Sequence, residues 1–246
     1  RAVLIIGDFT GQVGDPTGRS EVRKVQTADD TAANSATYLD QVKRILLDDP
    51  EVLEVRRNSE WLGSMDFSQL LGFTRMMTVA RLLERDDFAK RYKAGQPISL
   101  MEFMYPLMQG MDSVFIYADV ELGGTDQLFN LMVGRDLMGA YSMRPQMVLT
   151  VPLLEGLDAK LVDGKVEGPK MSKSADNYVG VAEPPFEQFR KLMLVNDGVI
   201  WRYFELLSAL PADEIAALRA KCEAPGASPR ACSRACPPKR GRAPEP

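Results

Sequence analysis

The run Ala2–Ile6, AVLII, stopping at Gly7, sets the firmest limit on the fold. It is too short for a stable helix and has no polar alternation, so it reads as a strand buried on both faces, as in a parallel sheet. Further extended stretches are expected at Val52–Arg56, Ser113–Tyr117, Val120–Leu122 and Gln146–Pro152. Segments with helical spacing stand between them. Asp29–Leu47 sets Tyr38, Leu39, Val42, Ile45 and Leu46 on one stripe behind an aspartate N-cap, and Phe67–Leu71, Thr74–Arg85 and Ser99–Met111 follow. Strand and helix alternate, which predicts an α/β fold with a doubly wound, Rossmann-like parallel sheet. We place that domain at 1–180, with a helical insertion at about 62–112, a helical segment at 181–221 and a disordered tail at 222–246.

Four stretches could carry chemistry. Gly7–Ser20 (GDFTGQVGDPTGRS) follows the first strand, and its glycines allow backbone to approach a ligand at the strand's carboxyl end. Its spacing fits neither a Walker loop nor a dinucleotide fingerprint, so pattern alone leaves a ligand loop and a plain turn both open. On the helix over Ser99–Met111 and just beyond, Tyr105, Gln109 and Asp112 share the i, i+4, i+7 face, either as a binding face or as a solvent side. Gly123–Gln127 (GGTDQ) opens a helix whose first amides suit an anion or a ribose. In Gly164–Gly180, Lys170-Met171-Ser172-Lys173-Ser174 sets two ammonium groups three residues apart, each beside a hydroxyl. We expect a mobile loop there that could close on a polyanion, although a solvated surface loop fits the same composition.

Composition removes whole classes of chemistry. The 246 residues contain no histidine, which excludes Ser-His-Asp triads, a histidine general base and His-ligated metals. No metal site is expected. A formal net charge of −4 argues against a protein that coats nucleic acid. No apolar run approaches the roughly 20 residues that span a bilayer. Cys222, Cys232 and Cys236 all fall in the tail, fit no common zinc spacing, and are read as unpaired. A body without cysteine fits a reducing, cytoplasmic setting. The chain enters its first strand directly from Arg1, without Met or a signal peptide, which reads as a fragment with its N-terminus cut away.

In order along the chain, GDFTGQVGDPTGRS, YPLMQGMD, VELGGTDQLFN and PKMSKSADNYVG closely resemble the bacterial tyrosyl-tRNA synthetases, a class I aminoacyl-tRNA synthetase family. The resemblance covers about Ala2 to Lys221. It implies a tyrosine–tRNA ligase that joins L-tyrosine to ATP as the adenylate and passes it to the 3′ end of tRNA(Tyr). ATP would arrive with Mg2+ as substrate, with no tightly bound cofactor, in a cytoplasmic homodimer. Carried over by matching position, Thr10, Asp15, Asn58, Tyr105, Gln109, Asp112 and Gln127 contact tyrosine. Asp15, Tyr105 and Gln109 are implied to hold the ammonium, and Asp112 to accept the phenolic hydroxyl. Gly124, Asp126 and Met171 join the ATP site, and Lys170, Lys173 and Ser174 grip the pyrophosphate in the transition state.

Two departures accompany the resemblance. The histidine-containing HIGH-type motif of class I synthetases is absent, so activity is expected to be impaired. Met101 stands where relatives commonly carry histidine, and Glu121 where some carry glutamine. Tryptophanyl-tRNA synthetase shares the fold and the signature loop, but a carboxylate at 112 favours a phenol over an indole. A synthetase-derived module that binds tyrosine or nucleotide without turnover is the other rival.

Overall fold

The structure, a computed structural model, describes residues 1–13 and 37–222. It divides into two compact units, Arg1–Val151 and the chain from Pro152 onward. The hairpin and the Lys170–Ser174 loop thus fall in the second unit, whereas the strand–helix alternation places 152–180 with the first domain.

In the first unit, β1 (Ala2–Ile6) runs parallel to β2 (Leu53–Arg57), with Ala2 opposite Leu53 and Ile6 opposite Arg57. β3 (Val120–Gly124) runs parallel to β4 (Met147–Val151), with Val120 opposite Met147 and Gly124 opposite Val151. Parallel pairing requires crossovers, and helices supply them. A short α1 (Thr10–Val13) follows β1. Between β2 and β3 run α2 (Ser59–Leu62), α3 (Phe67–Thr74), α4 (Val79–Leu82), α5 (Asp86–Lys93) and α6 (Leu100–Phe115). α7 (Leu128–Ala140) connects β3 to β4. The α/β class and parallel strands expected from the sequence are both present, with the described strands of this unit arranged as two parallel pairs.

Helix α6 is the unit's central support. At its start, Ser99 Oγ accepts from the Met101 amide while Glu102 accepts from the Ser99 amide at 3.0 Å, a reciprocal cap. Glu102 is also paired with Arg91 at 2.5 Å, both nearly fully buried, which ties α5 to the start of α6. The buried face of α6 places Leu107, Met108 and Met111 against Trp61, Phe73 and Leu137. A Cβ on Gly110 would lie 2.9 Å from Leu137 Cδ1 and 3.1 Å from the Gly134 nitrogen, so glycine there permits the close approach of α6 and α7. The strand expected at Ser113–Tyr117 is instead the end of α6, which runs to Phe115. Val114 and Ile116 have strand-like side chains, but both pack on this core, and packing overrides propensity.

In the second unit, β5 (Lys160–Val162) and β6 (Lys165–Glu167) form an antiparallel hairpin. Its turn, Asp163-Gly164, takes positive φ at both positions (48° and 77°). An Asp-Gly pair between short strands is a strong hairpin signal, and it corrects the irregular loop expected from Gly164. α8 (Pro185–Leu192), α9 (Ile200–Leu207) and α10 (Ala212–Cys222) follow. Ala159, Val195, Val199 and Tyr203 form one core, and Ile200, Trp201, Ile215 and Cys222 another. Cys222 is disulfide-bonded, so the reading of the cysteines as unpaired fails for this residue; number and spacing do not reveal pairing. No described helix is long and apolar enough to cross a membrane.

Candidate active site

The carboxyl ends of β1 and β2 bring the first group of candidates together. Gly7 ends the β1 run, and a Cβ there would sit 2.6 Å from Thr10 Oγ1, so the turn into α1 needs glycine. Asn58, fully buried just after β2, donates from Nδ2 to Thr10 Oγ1 at 2.9 Å and to Asp112 Oδ2 at 3.4 Å. Its Oδ1 accepts from the Phe9 amide at 3.0 Å. Trp61 on α2 donates its indole N–H to Asp112 Oδ1 at 2.8 Å. Asp8 fixes the same corner, accepting from the Ser59 amide at 3.0 Å and the Ser59 hydroxyl at 2.7 Å.

Asp112 is 8% exposed. Burial pushes its carboxyl from 3.8 up to about 7, against the pull of the Trp61 and Asn58 hydrogen bonds, and the negative charges of Glu121 and Asp8 add to the rise. A carboxylate offers about four acceptor positions. Trp61 and Asn58 each take one, and the long Asn58 bond is the weaker.

A second polar group surrounds Gln109. Asn130, in the first turn of α7, donates to Gln109 Oε1 at 2.9 Å and to Gln127 Oε1 at 3.1 Å. Its own oxygen accepts from Arg85 at 3.4 Å. Gln109 also donates to Glu121, whose carboxylate accepts from Ser113 Oγ at 2.8 Å and from Gln146 Nε2. Burial pushes the Glu121 carboxyl above the usual range, and these hydrogen bonds oppose it. Tyr105, on the same face of α6, is half-buried. Gly124 ends β3, and half-buried Asp126 lies in the 3-10 turn Thr125–Gln127 that leads into α7.

The signature loop lies in the second unit and is built around Asn177, which is 5% exposed. The Ser172 amide donates to Asn177 Oδ1 at 2.8 Å. Asn177 Nδ2 donates to Asp158 at 2.9 Å and to the Lys170 carbonyl at 3.4 Å. Lys170 pairs with Glu155 through an isolated antiparallel bridge, and the Met171 amide donates to the Leu154 carbonyl at 2.8 Å. Met171 packs on the core formed by Ala159, Val195, Val199 and Tyr203. Ser172 Oγ then caps the turn Lys173–Ala175, accepting the Ala175 amide at 3.2 Å. Lys170, Lys173 and Ser174 are exposed. The loop is an anchored turn presenting exposed polar ends, rather than the unstructured segment that its glycines implied.

The structure therefore joins Thr10, Asn58 and Asp112 directly, joins Gln109 and Gln127 through Asn130, and places Lys170, Met171, Lys173 and Ser174 in one loop. Asp15 lies outside the described residues. Trp61, Asn130 and Asn177 had escaped the sequence reading. A lone tryptophan and two uncharged asparagines carry no spacing signal.

Residues 1–233 match the sequence model of the family described as tRNA synthetases class I (W and Y), and the chain belongs to that family. Among individual proteins, it is 51% identical over 230 residues to the tyrosine–tRNA ligase of Acidithiobacillus ferrooxidans, covering 94% of this chain and 54% of the relative. It is 52% identical over 228 residues to that of Nitratidesulfovibrio vulgaris, covering 93% and 55%. The chain thus spans about half the length of the curated relatives it matches. A C-terminally truncated mitochondrial tyrosyl-tRNA synthetase of Aspergillus nidulans shares the fold, with a TM-score of 0.67 at 22% identity over 89% of this chain and 65% of that one. The Archaeoglobus fulgidus tyrosyl-tRNA synthetase complexed with L-tyrosine gives 0.58 at 26% identity, over 79% and 55%.

Proposed function

We propose that this chain carries the tyrosine-activating machinery of a bacterial-type tyrosine–tRNA ligase. One observation carries the reading: a nearly buried carboxylate, Asp112, held by Trp61 and Asn58 with acceptor capacity left over. A phenolic hydroxyl satisfies such a group, whereas the ring of phenylalanine leaves it buried and unpaired, which is costly. Tyrosine-specific synthetases are themselves the usual illustration of this kind of discrimination. The relatives named tyrosine–tRNA ligase and the neighbour complexed with L-tyrosine support the same substrate.

In this reading Asp112 receives the phenol, and Asp15, Tyr105 and Gln109 hold the α-ammonium. Thr10 and Asn58 shape the pocket beside Asp112, and Gln127 orients the carboxyl end. Gly124 admits the nucleotide, and Asp126 takes the ribose hydroxyls. A tyrosine carboxylate oxygen attacks the α-phosphorus of Mg-ATP. The new C–O–P bond forms as the bond from Pα to the β-phosphate oxygen breaks, and pyrophosphate leaves with the electron pair. The attacking group is already an anion, so no general base is required and the lack of histidine costs nothing at this step. The exposed ends of Lys170, Lys173 and Ser174 meet the charge that builds on the pyrophosphate. In the second step a terminal ribose hydroxyl of tRNA(Tyr) attacks the tyrosyl carbonyl, its proton passes to the adenylate phosphate, and AMP departs as the bond from the carbonyl carbon to the phosphate oxygen breaks. The protein works as a cytoplasmic homodimer.

The test is tyrosine-dependent ATP–pyrophosphate exchange beside calorimetric binding of tyrosine, tryptophan and phenylalanine. Exchange with tyrosine alone supports the whole reading. Tyrosine binding without exchange keeps the pocket and removes the catalytic claim. A folded sample that binds no tyrosine overturns both.

A further inference from the structure

Asn130 is 1% exposed and has both ends of its carboxamide engaged. Its NH2 reaches two carbonyl oxygens, Gln109 Oε1 and Gln127 Oε1, on two different elements. Its oxygen accepts from Arg85, which Asp87 holds at 2.8 Å. Gln109 is also held at its opposite end, where it donates to Glu121. A glutamine side chain is nearly symmetric in shape, and its hydrogen-bond partners decide which end is oxygen and which is nitrogen. The NH2 of Asn130 can only donate, and an ionised Glu121 can only accept. Turning the Gln109 amide over would set oxygen against carboxylate and NH2 against NH2. The same Asn130 group fixes Gln127 with its oxygen inward and its nitrogen outward.

We propose that Asn130 and Glu121 are positioning residues that set the polarity of the amino-acid site. Gln109, locked from both sides, turns a carbonyl lone pair to the α-ammonium, and Gln127 turns its NH2 to the α-carboxylate. Glu121 adds a half-buried carboxylate that favours a cationic ligand group. This rests on the tyrosine-binding reading and adds to it two residues that never touch the substrate.

The side-chain amide proton signals of Gln109 and Gln127 test the lock in the ligand-free chain. Asn130→Ala moves both pairs toward the positions of exposed glutamines, and Glu121→Gln moves the Gln109 pair alone. Calorimetry then uses tyrosine, tyramine (no carboxylate) and hydroxyphenylpropionate (no ammonium). Asn130→Ala weakens tyrosine binding about tenfold, the scale of one or two lost orienting hydrogen bonds. Glu121→Gln weakens tyrosine and tyramine but spares hydroxyphenylpropionate. Should Asn130→Ala fail to fold, Asn130→Asp keeps the shape and the Arg85 contact while removing the donor, and the same signals decide. Unmoved amide signals, or an equal loss for all three ligands, overturn the proposal. Failure of the wild-type chain to bind tyrosine overturns the proposed function instead, and the amide signals still report on the lock.

Discussion

The pocket around Asp112 and the turn around Asn177 are both held by a buried asparagine, yet they expose opposite things. In the first unit, Asn58 bonds the working group itself, and burial raises the pKa of Asp112 against that hydrogen bond. In the second, Asn177 fastens only backbone and Asp158, and the lysine side chains are exposed. Recognition by a desolvated group is selective, because a wrong ligand leaves that group unpaired. Attraction by exposed cations is less selective and suits a diffuse, multiply charged leaving group. Substitutions should therefore disturb both fold and specificity at Asp112, and rate alone at the exposed lysines of the turn.

The largest effect is expected at Asp112. Asp112→Asn should weaken tyrosine binding on the order of a hundredfold, the upper range for losing a charged hydrogen bond in a buried site, and should erase the preference for tyrosine over phenylalanine. Its pH behaviour is sharper still. Between 3.8 and about 7 the folded chain retains a proton at Asp112 that the unfolded chain has released. Raising the pH across that window therefore lowers stability, and Glu121, also pushed up by burial, acts in the same direction. Tyrosine binding should move the opposite way, strengthening as Asp112 ionises near pH 7, because the phenol donates to the carboxylate. Urea unfolding and calorimetry across this range would reveal both slopes, and Asp112→Asn should flatten the binding slope and reduce the stability slope to the part that Glu121 supplies.

Lys170→Ala and Lys173→Ala come next. Each should slow pyrophosphate exchange by roughly a hundredfold, the usual scale for one charge-stabilising contact. Because both side chains are exposed, melting temperature and tyrosine affinity should hardly change. A loss of tyrosine binding in either variant would erase the contrast between pocket and turn.

How much of this could be read from the sequence follows the same divide. The strand runs, the i, i+4, i+7 face of α6 and the Lys170–Ser174 string are periodic or literal patterns, and they placed the α/β class and most candidate residues. Trp61, Asn130 and Asn177 act through partners distant in the chain or through backbone atoms. Asn58 bonds Asp112 across 54 positions and Thr10 across 48. No local pattern encodes such a pairing. The end of α6 was misread for a related reason: Val114 and Ile116 favour strand until the core they pack on is known. Asp163-Gly164 between two short extended runs is a local signal, and it is legible as a hairpin turn.

A smaller effect is expected where the turn is fastened. Asn177→Ala removes the partner of the half-buried Ser172 amide and of the exposed Asp158 carboxylate, a loss of about 0.5–1.5 kcal/mol. Hydrogen exchange at the Ser172 amide should accelerate, while Asp112 and its neighbours keep their protection. Gly156→Ala should reproduce this from the other side, since a Cβ there would fall 2.0 Å from Asn177 Nδ2. If exchange also rose around Asp112, the two regions would be one cooperative unit and the comparison would fail.

The smallest effect should come from the residue beside that asparagine. Asp176 holds φ 51°, the left-handed region, just after the Lys173–Ala175 turn. Aspartate tolerates this conformation better than most residues, and glycine adopts it freely but loses more entropy on folding. These two contributions oppose each other, so Asp176→Gly should shift stability by less than about 0.5 kcal/mol and leave exchange activity within twofold. Asp176→Val should behave differently, because a β-branched side chain is a genuine outlier at positive φ and costs about 1–2 kcal/mol. The pair separates backbone geometry from charge: both variants remove the carboxylate, and only one strains the turn. Equal loss of activity in both would assign Asp176 an electrostatic role beside the lysines. Loss in valine alone would show that the turn's shape, which Asn177 maintains, is what presents the lysine ends.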